Sequence, residues 1–223
     1  MNNRNMNLYR KIGLFFYVLI YNFFEFVFFF THYWWWKFIL FRSFYYIRET
    51  SYSIFNRERH RLGNLDEDNF IYGETGVLTT KLILQEISPQ KGELIYDLGC
   101  GRGTFLFAAN FLFDLRGVGI ELFTPYIVYG KKLKKKLKCA GIIFFNKNII
   151  DVDLSDADIV YIAGTTYENR ILEKIYEKFE GLKPSAVIIS VHHQVPGEEF
   201  VLFHQGKYPF SWGTDNVYIY RKK

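Results

Sequence analysis

The chain has 223 residues, of which 49% are hydrophobic and 20% aromatic, and its 28 basic residues outnumber its 23 acidic residues. This hydrophobic content excludes an intrinsically disordered chain, and the presence of only two cysteines excludes a disulfide framework. The length allows one globular domain of ordinary size together with an additional segment.

The additional segment, residues 1–48, is predicted to be a membrane anchor. Its first part reads "IGLFFYVLIYNFFEFVFFF", and a helix of about 20 apolar residues matches the hydrocarbon thickness of a bilayer. We therefore predict a transmembrane helix over about residues 12–31. A cleaved signal peptide is the alternative, but no cleavage site of small residues follows. Residues 33–46 include three consecutive tryptophans, which is typical of a segment that lies along the membrane interface.

Polar side chains of the anchor share one helical face. Tyr17, Tyr21 and Glu25 recur every four residues, and Asn22 adjoins them. This stripe predicts helix self-association, because intramembrane carboxylates usually face protein or water rather than lipid. The alternative is a protonated Glu25 without a partner.

A polar juxtamembrane linker is predicted over residues 49–70, and a catalytic domain over residues 71–223. From the start of this domain, short apolar runs alternate with helical patterns, which indicates βα units around a parallel sheet. The first helix is predicted from Gly76 to Ile87, with Thr75 as its N-cap. Strands are predicted at 93–99, 117–122, 141–146, 158–164, 186–191, 200–206 and 216–222. Helices are predicted between them at 104–115, 125–138 and 167–180. The fold class is therefore α/β, a Rossmann-like sheet of seven strands with helices on both faces, closed by a hairpin.

The stretch "DLGCGRG", residues 97–103, connects the first predicted strand to a helix. Glycines at 99, 101 and 103 allow a ligand to approach the backbone, and the helix N-terminus offers free N–H groups. The spacing differs from the G-x-G-x-x-G of nicotinamide-binding proteins, and Asp97 suits an ammonium group rather than a pyrophosphate. Glu121 ends the second strand, where a carboxylate accepts hydrogen bonds from both ribose hydroxyls. A ligand that combines an amino acid with a nucleoside meets both demands, and S-adenosylmethionine is such a ligand.

Over about residues 70–222 the sequence resembles the class I S-adenosylmethionine-dependent methyltransferases, through "DLGCGRG" and "GIE". The stretch "YGETG", residues 72–76, is similar to that of the non-SET histone lysine methyltransferases of the disruptor-of-telomeric-silencing family. In that family it folds over the methionine end of the cofactor. The resemblance implies one cofactor pocket lined by Tyr72, Glu74, Thr75, Asp97, Gly99, Gly101, Gly103 and Glu121, with Asn148 near the adenine.

The acceptor end of the site differs from that family. Its histone enzymes carry N-N-F-x-F after the fourth strand, whereas this chain has "AGTTY", residues 163–167. The later "FSWGTDNVYIY" does resemble the family's closing segment, in which aromatic residues wall the lysine channel. The implied channel residues are Tyr167, Trp212 and Phe210, although ordinary core packing is an equal alternative for Phe210. Thr165, Thr166 and Tyr167 are expected to position the substrate amine.

Two further features give weaker indications. His192 and His193 lack the spaced partners of a metal site, so no metal is predicted. The lysine-rich run Lys131–Lys138 fits an anionic membrane surface or a solvated helix face better than nucleic acid.

Together these observations predict a membrane-anchored methyltransferase that methylates a lysine of a protein, with its catalytic domain in the cytoplasm. A membrane protein is a more natural substrate than chromatin for an anchored enzyme. One alternative is methylation of a small lipophilic molecule such as a quinone or a lipid. The other is an inactive membrane scaffold that binds the cofactor.

Overall fold

The computed structural model describes residues 8–30 and 73–223. The helices are α1 (Leu8–Phe30), α2 (Val77–Ile87), α3 (Thr104–Phe113), α4 (Thr124–Leu137) and α5 (Asn169–Phe179). The strands are β1 (Leu94–Leu98), β2 (Arg116–Glu121), β3 (Ile142–Asn146), β4 (Ile159–Ile162), β5 (Val187–Val191), β6 (Phe200–Phe210) and β7 (Gly213–Lys222). A 3₁₀ turn, Ile149–Asp151, precedes β4.

The seven strands form one sheet in the order β3-β2-β1-β4-β5-β7-β6. Strands β1 to β5 pair in parallel, whereas β7 pairs antiparallel with both β5 and β6. The predicted seven-stranded Rossmann-like sheet with a closing hairpin is therefore confirmed. Strands β6 and β7 are longer than the sequence predicts, because they include most of residues 207–215, which were expected to connect the two strands.

The central strand β1 shows why the apolar runs form a buried parallel sheet. Side chains alternate between the two faces of a strand, so Ile95 packs with α2, α3 and α4 while Tyr96 and Leu98 pack with α5. Both faces are covered by helices, and a strand of this kind needs apolar residues at nearly every position. Asp97 is the exception within β1, and only 3% of its surface is exposed.

The strand order reverses beside β1. The chain runs from β1 outward through β2 to β3, and then returns to place β4 on the other side of β1. In sheets of this type, ligands bind at the carboxyl ends of the strands where the order reverses. This position contains Asp97, which lies opposite Gly119 of β2 and Tyr161 of β4 in the strand register.

Helix α1 does not fit the prediction of a transmembrane helix over residues 12–31. No helix among residues 8–30 and 73–223 combines the length and the hydropathy that a bilayer span requires. The polar stripe that predicted self-association packs within the chain instead, because Tyr21 and Glu25 are buried against α2. The opposite side of α1 is apolar and exposed, as Phe15 (65%) and Phe23 (61%) show.

Other predictions about the anchor remain predictions. The interfacial segment 33–46 and the linker 49–70 lie outside the described residues, and the cytoplasmic location of the domain stays a prediction. The lysine-rich run of α4 has buried Leu133 and Leu137 on its inner side, with exposed lysines such as Lys135 on the outer side. The lysines thus form the exposed face of an amphipathic helix that packs on the sheet, and their attraction to an anionic membrane surface stays a prediction.

Candidate active site

A cavity of about 290 Å³ lies at the carboxyl ends of β1, β2 and β4. This volume is near the lower end of the range for small-molecule sites. The predicted residues that line it are Glu74, Thr75, Asp97, Gly99, Gly101, Glu121, Asn148, Thr165, Thr166, Tyr167 and Trp212. Residues from distant parts of the sequence therefore surround one space, as predicted. Tyr72 lies outside the described residues.

The glycine loop after β1 brings bare backbone to the cavity. The N–H groups of Gly99 and Cys100 both donate to the carbonyl oxygen of Ile120, at 2.9 and 3.0 Å, which turns the chain sharply out of the strand. Gly99 has φ 85°, a conformation that favours glycine. The hydroxyl of Tyr167 lies where a Cβ of residue 99 would be. A side chain at position 99 would therefore collide with Tyr167 as well as strain the backbone.

Gly103, unlike Gly99 and Gly101, does not line the cavity. A Cβ on this residue would lie 2.6 Å from Cζ of Phe144. Its φ of 88° and its position before α3 allow that helix to pack closely on β3. In the structure Gly103 therefore serves the packing of α3.

Two carboxylates face the cavity from adjacent strands. Burial, together with the charge of Glu121, raises the pKa of Asp97 well above its usual range. Burial also raises the pKa of Glu121, although backbone donors oppose this. The Oε2 atom of Glu121 accepts from Gly101 N at 3.0 Å, and its Oε1 atom accepts from Phe123 N at 2.8 Å. Glu121 thus holds the glycine loop in place, and the ionised forms of the two acids suit a cationic ligand, which would favour their ionisation.

The loop Gly73–Thr75, here called the GET loop, closes the opposite side of the cavity. Thr75 was predicted to be the N-cap of α2, but the N-cap is Gly76. The hydroxyl of Thr75 instead lies 2.5 Å from the hydroxyl of Tyr161 on β4. Glu74 N donates to Ser211 Oγ at 3.1 Å, and Ser211 Oγ donates to Glu74 O at 2.9 Å. The GET loop is therefore attached both to β4 and to the β6–β7 turn.

Aromatic residues form the wall at the β6–β7 turn. The indole of Trp212 stacks on Phe210 with ring centroids 4.5 Å apart, and its Nε1 donates to Asp215 Oδ2 at 3.3 Å. Phe210 has no exposed surface and does not line the cavity, so its role is core packing. Trp212 also lies directly against Gly73. The indole is therefore held in one orientation between the GET loop and the core.

Sequence reasoning missed Phe105 and Tyr161, which also line the cavity. Their rings are stacked with centroids 3.8 Å apart, below the GET loop. Both occur in apolar runs whose pattern is that of core residues, so no spacing distinguished them. The register of Tyr161 opposite Asp97 identifies it only once the strand order is known.

The rim carries Asn148, whose side chain accepts from Ile150 N at 3.3 Å and so starts the 3₁₀ turn. No group of three potential metal ligands occurs within residues 8–30 and 73–223. His192 Nδ1 lies 3.0 Å from Asp215 Oδ1. This contact places the histidine beside the acid that orients Trp212.

These features fit S-adenosylmethionine. The positive charges of this ligand suit the ionised forms of Asp97 and Glu121, and the open backbone at Gly99 permits close approach of its amino-acid part. The aromatic walls suit the uncharged parts of the ligand. The residues present therefore agree with the cofactor that the sequence predicts.

Comparisons with known proteins support this class. No model of a known protein family matches the sequence. A protein-lysine N-methyltransferase from Saccharolobus islandicus is 27% identical over 128 residues, which cover 56% of this chain and 78% of that protein.

Solved structures of methyltransferases have a similar fold. An RNA methyltransferase from Salinibacter ruber in complex with S-adenosyl-L-homocysteine matches with a TM-score of 0.57 and 20% identity, over 67% of this chain and 93% of that one. A geranyl diphosphate C-methyltransferase from Streptomyces coelicolor, also with S-adenosyl-L-homocysteine, matches with a TM-score of 0.54 and 14% identity, over 66% of this chain and 76% of that one. The chain has the fold of S-adenosylmethionine-dependent methyltransferases, which is the enzyme class that the sequence predicts.

Proposed function

We propose that this protein is an S-adenosylmethionine-dependent methyltransferase that transfers a methyl group to a lysine side chain of a protein, in the manner of the disruptor-of-telomeric-silencing family. The observation that carries the proposal is the meeting of the GET loop, the glycine loop and Trp212 around one cavity. The resemblance in sequence assigns the first two to the cofactor and the third to a lysine channel. The similarity to a protein-lysine N-methyltransferase supports the same acceptor.

The cofactor end of the cavity is assigned to the two acids and the glycine loop. Asp97 attracts a positively charged group, while Glu121, which already accepts from two backbone N–H groups, has the position expected for a ribose partner. Asn148 and the neighbouring Lys147 lie at the rim, where the resemblance places the adenine. When bound, the cofactor supplies a methyl group on a positively charged sulfur.

The acceptor end is assigned to Thr165, Thr166, Tyr167 and Trp212. A lysine amine is a nucleophile only after it loses its proton, and a weakly polar aromatic channel favours the neutral form. The hydroxyl groups of this wall then orient the nitrogen lone pair towards the methyl carbon. Transfer of the methyl group from the cofactor to the neutral amine would leave the bonding electron pair on sulfur and give a methylammonium group, and the proton that the amine loses beforehand would pass to water. Alignment of this kind is sufficient for a displacement reaction, so no acid–base triad is required.

The fold by itself does not select the acceptor, since similar folds belong to proteins named for RNA and for geranyl diphosphate. The decisive experiment therefore offers the full-length protein three fractions of one cell extract: proteins, lipids and RNA. Radiolabelled S-adenosylmethionine is supplied, and labelled proteins are hydrolysed and analysed by mass spectrometry for Nε-methyl-lysine. We expect the label in the protein fraction, and we expect it to disappear when lysines are acetylated beforehand.

The variant Asp97→Asn serves as the inactive enzyme, because it removes the negative charge from the cavity. Asp114→Asn is its matched control, since Asp114 is an exposed acid that pairs with Lys91 away from the site. Label found in lipid or RNA alone would contradict the lysine assignment. Cofactor binding without transfer to any fraction would indicate the scaffold alternative.

A further inference from the structure

Helix α1 contacts the catalytic domain through two buried polar side chains. Glu25 is only 3% exposed and Tyr21 only 7% exposed, although most residues of the helix are apolar. A buried carboxylate is costly unless it is hydrogen-bonded. The bonds that Glu25 makes therefore indicate what α1 does for the domain.

Glu25 binds the N-terminus of α2. Its Oε2 atom accepts from Val77 N at 3.1 Å, and its Oε1 atom accepts from Leu78 N at 2.6 Å. These are the first N–H groups of α2, which have no partner inside the helix. The N-cap residue Gly76 has no side chain with which to satisfy them. A carboxylate at this end also interacts favourably with the helix dipole.

Gly76 is the residue that permits this contact. A Cβ at position 76 would overlap the hydroxyl of Tyr21 and would lie 2.7 Å from Oε1 of Glu25. In most proteins a serine, threonine or aspartate at the N-cap satisfies the free N–H groups locally. Here a glycine leaves room, and the acid comes from a helix far away in the sequence.

Tyr21 extends the contact towards the β6–β7 turn. Its hydroxyl lies 2.9 Å from Thr79 Oγ1 and 3.3 Å from Glu25 Oε1. Thr79 in turn donates to the carbonyl oxygen of Pro209, three residues before Trp212. Burial and the charge of Glu25 raise the pKa of Tyr21, so the hydroxyl keeps its proton. These hydrogen bonds therefore connect α1 with α2, which follows the GET loop, and with the end of β6, next to the turn that binds the GET loop.

We propose that Glu25 and Tyr21 are positioning residues for the cofactor pocket. Because Gly76 directly follows Thr75, the position of the α2 N-terminus sets the position of the GET loop, which lines the cavity. Helix α1 thus completes the cofactor pocket from outside it, without touching the ligand. The inference rests on the proposed function only in taking this cavity as the cofactor site.

Cofactor binding by full-length variants tests the inference, with S-adenosyl-L-homocysteine as the probe in isothermal titration calorimetry. We expect Glu25→Ala to weaken binding about tenfold, which is the order expected for loss of a helix cap. Glu25→Gln keeps one acceptor and should weaken binding about threefold. Tyr21→Phe removes only the hydroxyl and should have an effect of similar size. Phe24→Ala, on the exposed side of the same helix, is the matched control and should bind as the wild type does.

Hydrogen exchange distinguishes positioning from general loss of stability. We expect the amides of Val77 and Leu78 to exchange faster in Glu25→Gln, while amides of β1 keep their protection. Wild-type affinity in both Glu25→Gln and Tyr21→Phe would overturn the inference, even if Glu25→Ala fails to fold. Absence of binding by the wild-type protein would instead overturn the cofactor assignment itself.

Discussion

The hydroxyl groups of Thr75 and Tyr161 lie 2.5 Å apart and connect the GET loop to the centre of the sheet. Tyr161 belongs to β4, beside Asp97, and its ring stacks on Phe105. The GET loop is therefore attached to Tyr161, a buried residue of the core. This hydrogen bond between residues far apart in the sequence is one of the contacts that hold the GET loop beside the cavity, together with the two bonds between Glu74 and Ser211.

Removal of that bond should weaken cofactor binding more than it weakens the fold. For Tyr161→Phe we expect a loss of about 1 kcal/mol in the free energy of unfolding, as for a typical hydrogen bond. We also expect several-fold weaker binding of S-adenosyl-L-homocysteine, because the GET loop loses its attachment to β4. Tyr96→Phe is the control, since its hydroxyl bonds Asp156 on the other face of the sheet. The control should show a similar stability loss with unchanged binding, and equal binding by both variants would argue against the role of Tyr161.

Gly73 should not accept a side chain. In Gly73→Ala the new Cβ would overlap the six-membered ring of Trp212, so the GET loop or the indole must move. We expect about tenfold weaker binding, measured by calorimetry, and a change in tryptophan fluorescence. Gly141→Ala is a suitable comparison, because the nearest atom to its Cβ would lie at an ordinary 3.5 Å. Normal affinity in Gly73→Ala would show that the indole moves freely.

Cofactor binding should strengthen as pH rises. Burial and the charge of Glu121 raise the pKa of Asp97, so its neutral form persists to higher pH than in an unfolded chain. The neutral form of Asp97 stabilises the folded protein at low pH, and this stabilisation is lost as pH rises through the raised pKa. A cationic ligand instead stabilises the ionised form. Within this window, above the usual aspartate pKa of about 4, affinity should rise by at most about tenfold per pH unit and a proton should be released on binding.

Calorimetry in buffers with different ionisation enthalpies measures this proton release directly. Asp97→Asn should bind more weakly and should lose that part of the pH dependence. A pH dependence that is unchanged in this variant would assign the titration to Glu121, whose pKa is also raised.

The packing role of Gly103 gives a prediction about stability. Gly103→Ala would combine an unfavourable φ of 88° with a Cβ placed 2.6 Å from Phe144. Gly92→Ala has nearly the same φ, 84°, but no atom within 4 Å of its Cβ. We expect a loss of about 1 kcal/mol for Gly92→Ala and a loss at least twice as large for Gly103→Ala, measured by chemical denaturation. Equal losses would show that the phenylalanine ring gives way.

Much of the fold follows from local pattern. The apolar runs from Leu94 to Leu98 and from Val187 to Val191 are strands that helices cover on both faces. Such strands can be recognised from their nearly continuous apolar residues alone. Helix boundaries were less accurate, since Thr75 was predicted to cap α2 but bonds Tyr161 instead. A threonine before a helix is a good cap in general, and a tertiary contact overrode that preference.

The residues of the candidate site were also predictable only in part. Asp97 and Gly99 were predictable because they belong to one glycine-rich turn after β1, and Glu121 was predictable because it ends the next strand. Tyr161 and Phe105 were not, because aromatic residues in apolar runs have the same pattern whether they fill the core or line a cavity. Gly103 shows the converse, a glycine of the turn that serves packing.

Local patterns were enough to predict the βα order, the glycine turn and the acids beside it, because these depend on periodicity and on conformations that few residues adopt. The place of α1 and the contacts of Glu25 depend on how distant parts of the chain pack together. An apolar helix with one polar stripe satisfies its periodicity equally well against lipid or against protein. The free N–H groups of α2, exposed by a glycine far along the chain, select the second arrangement.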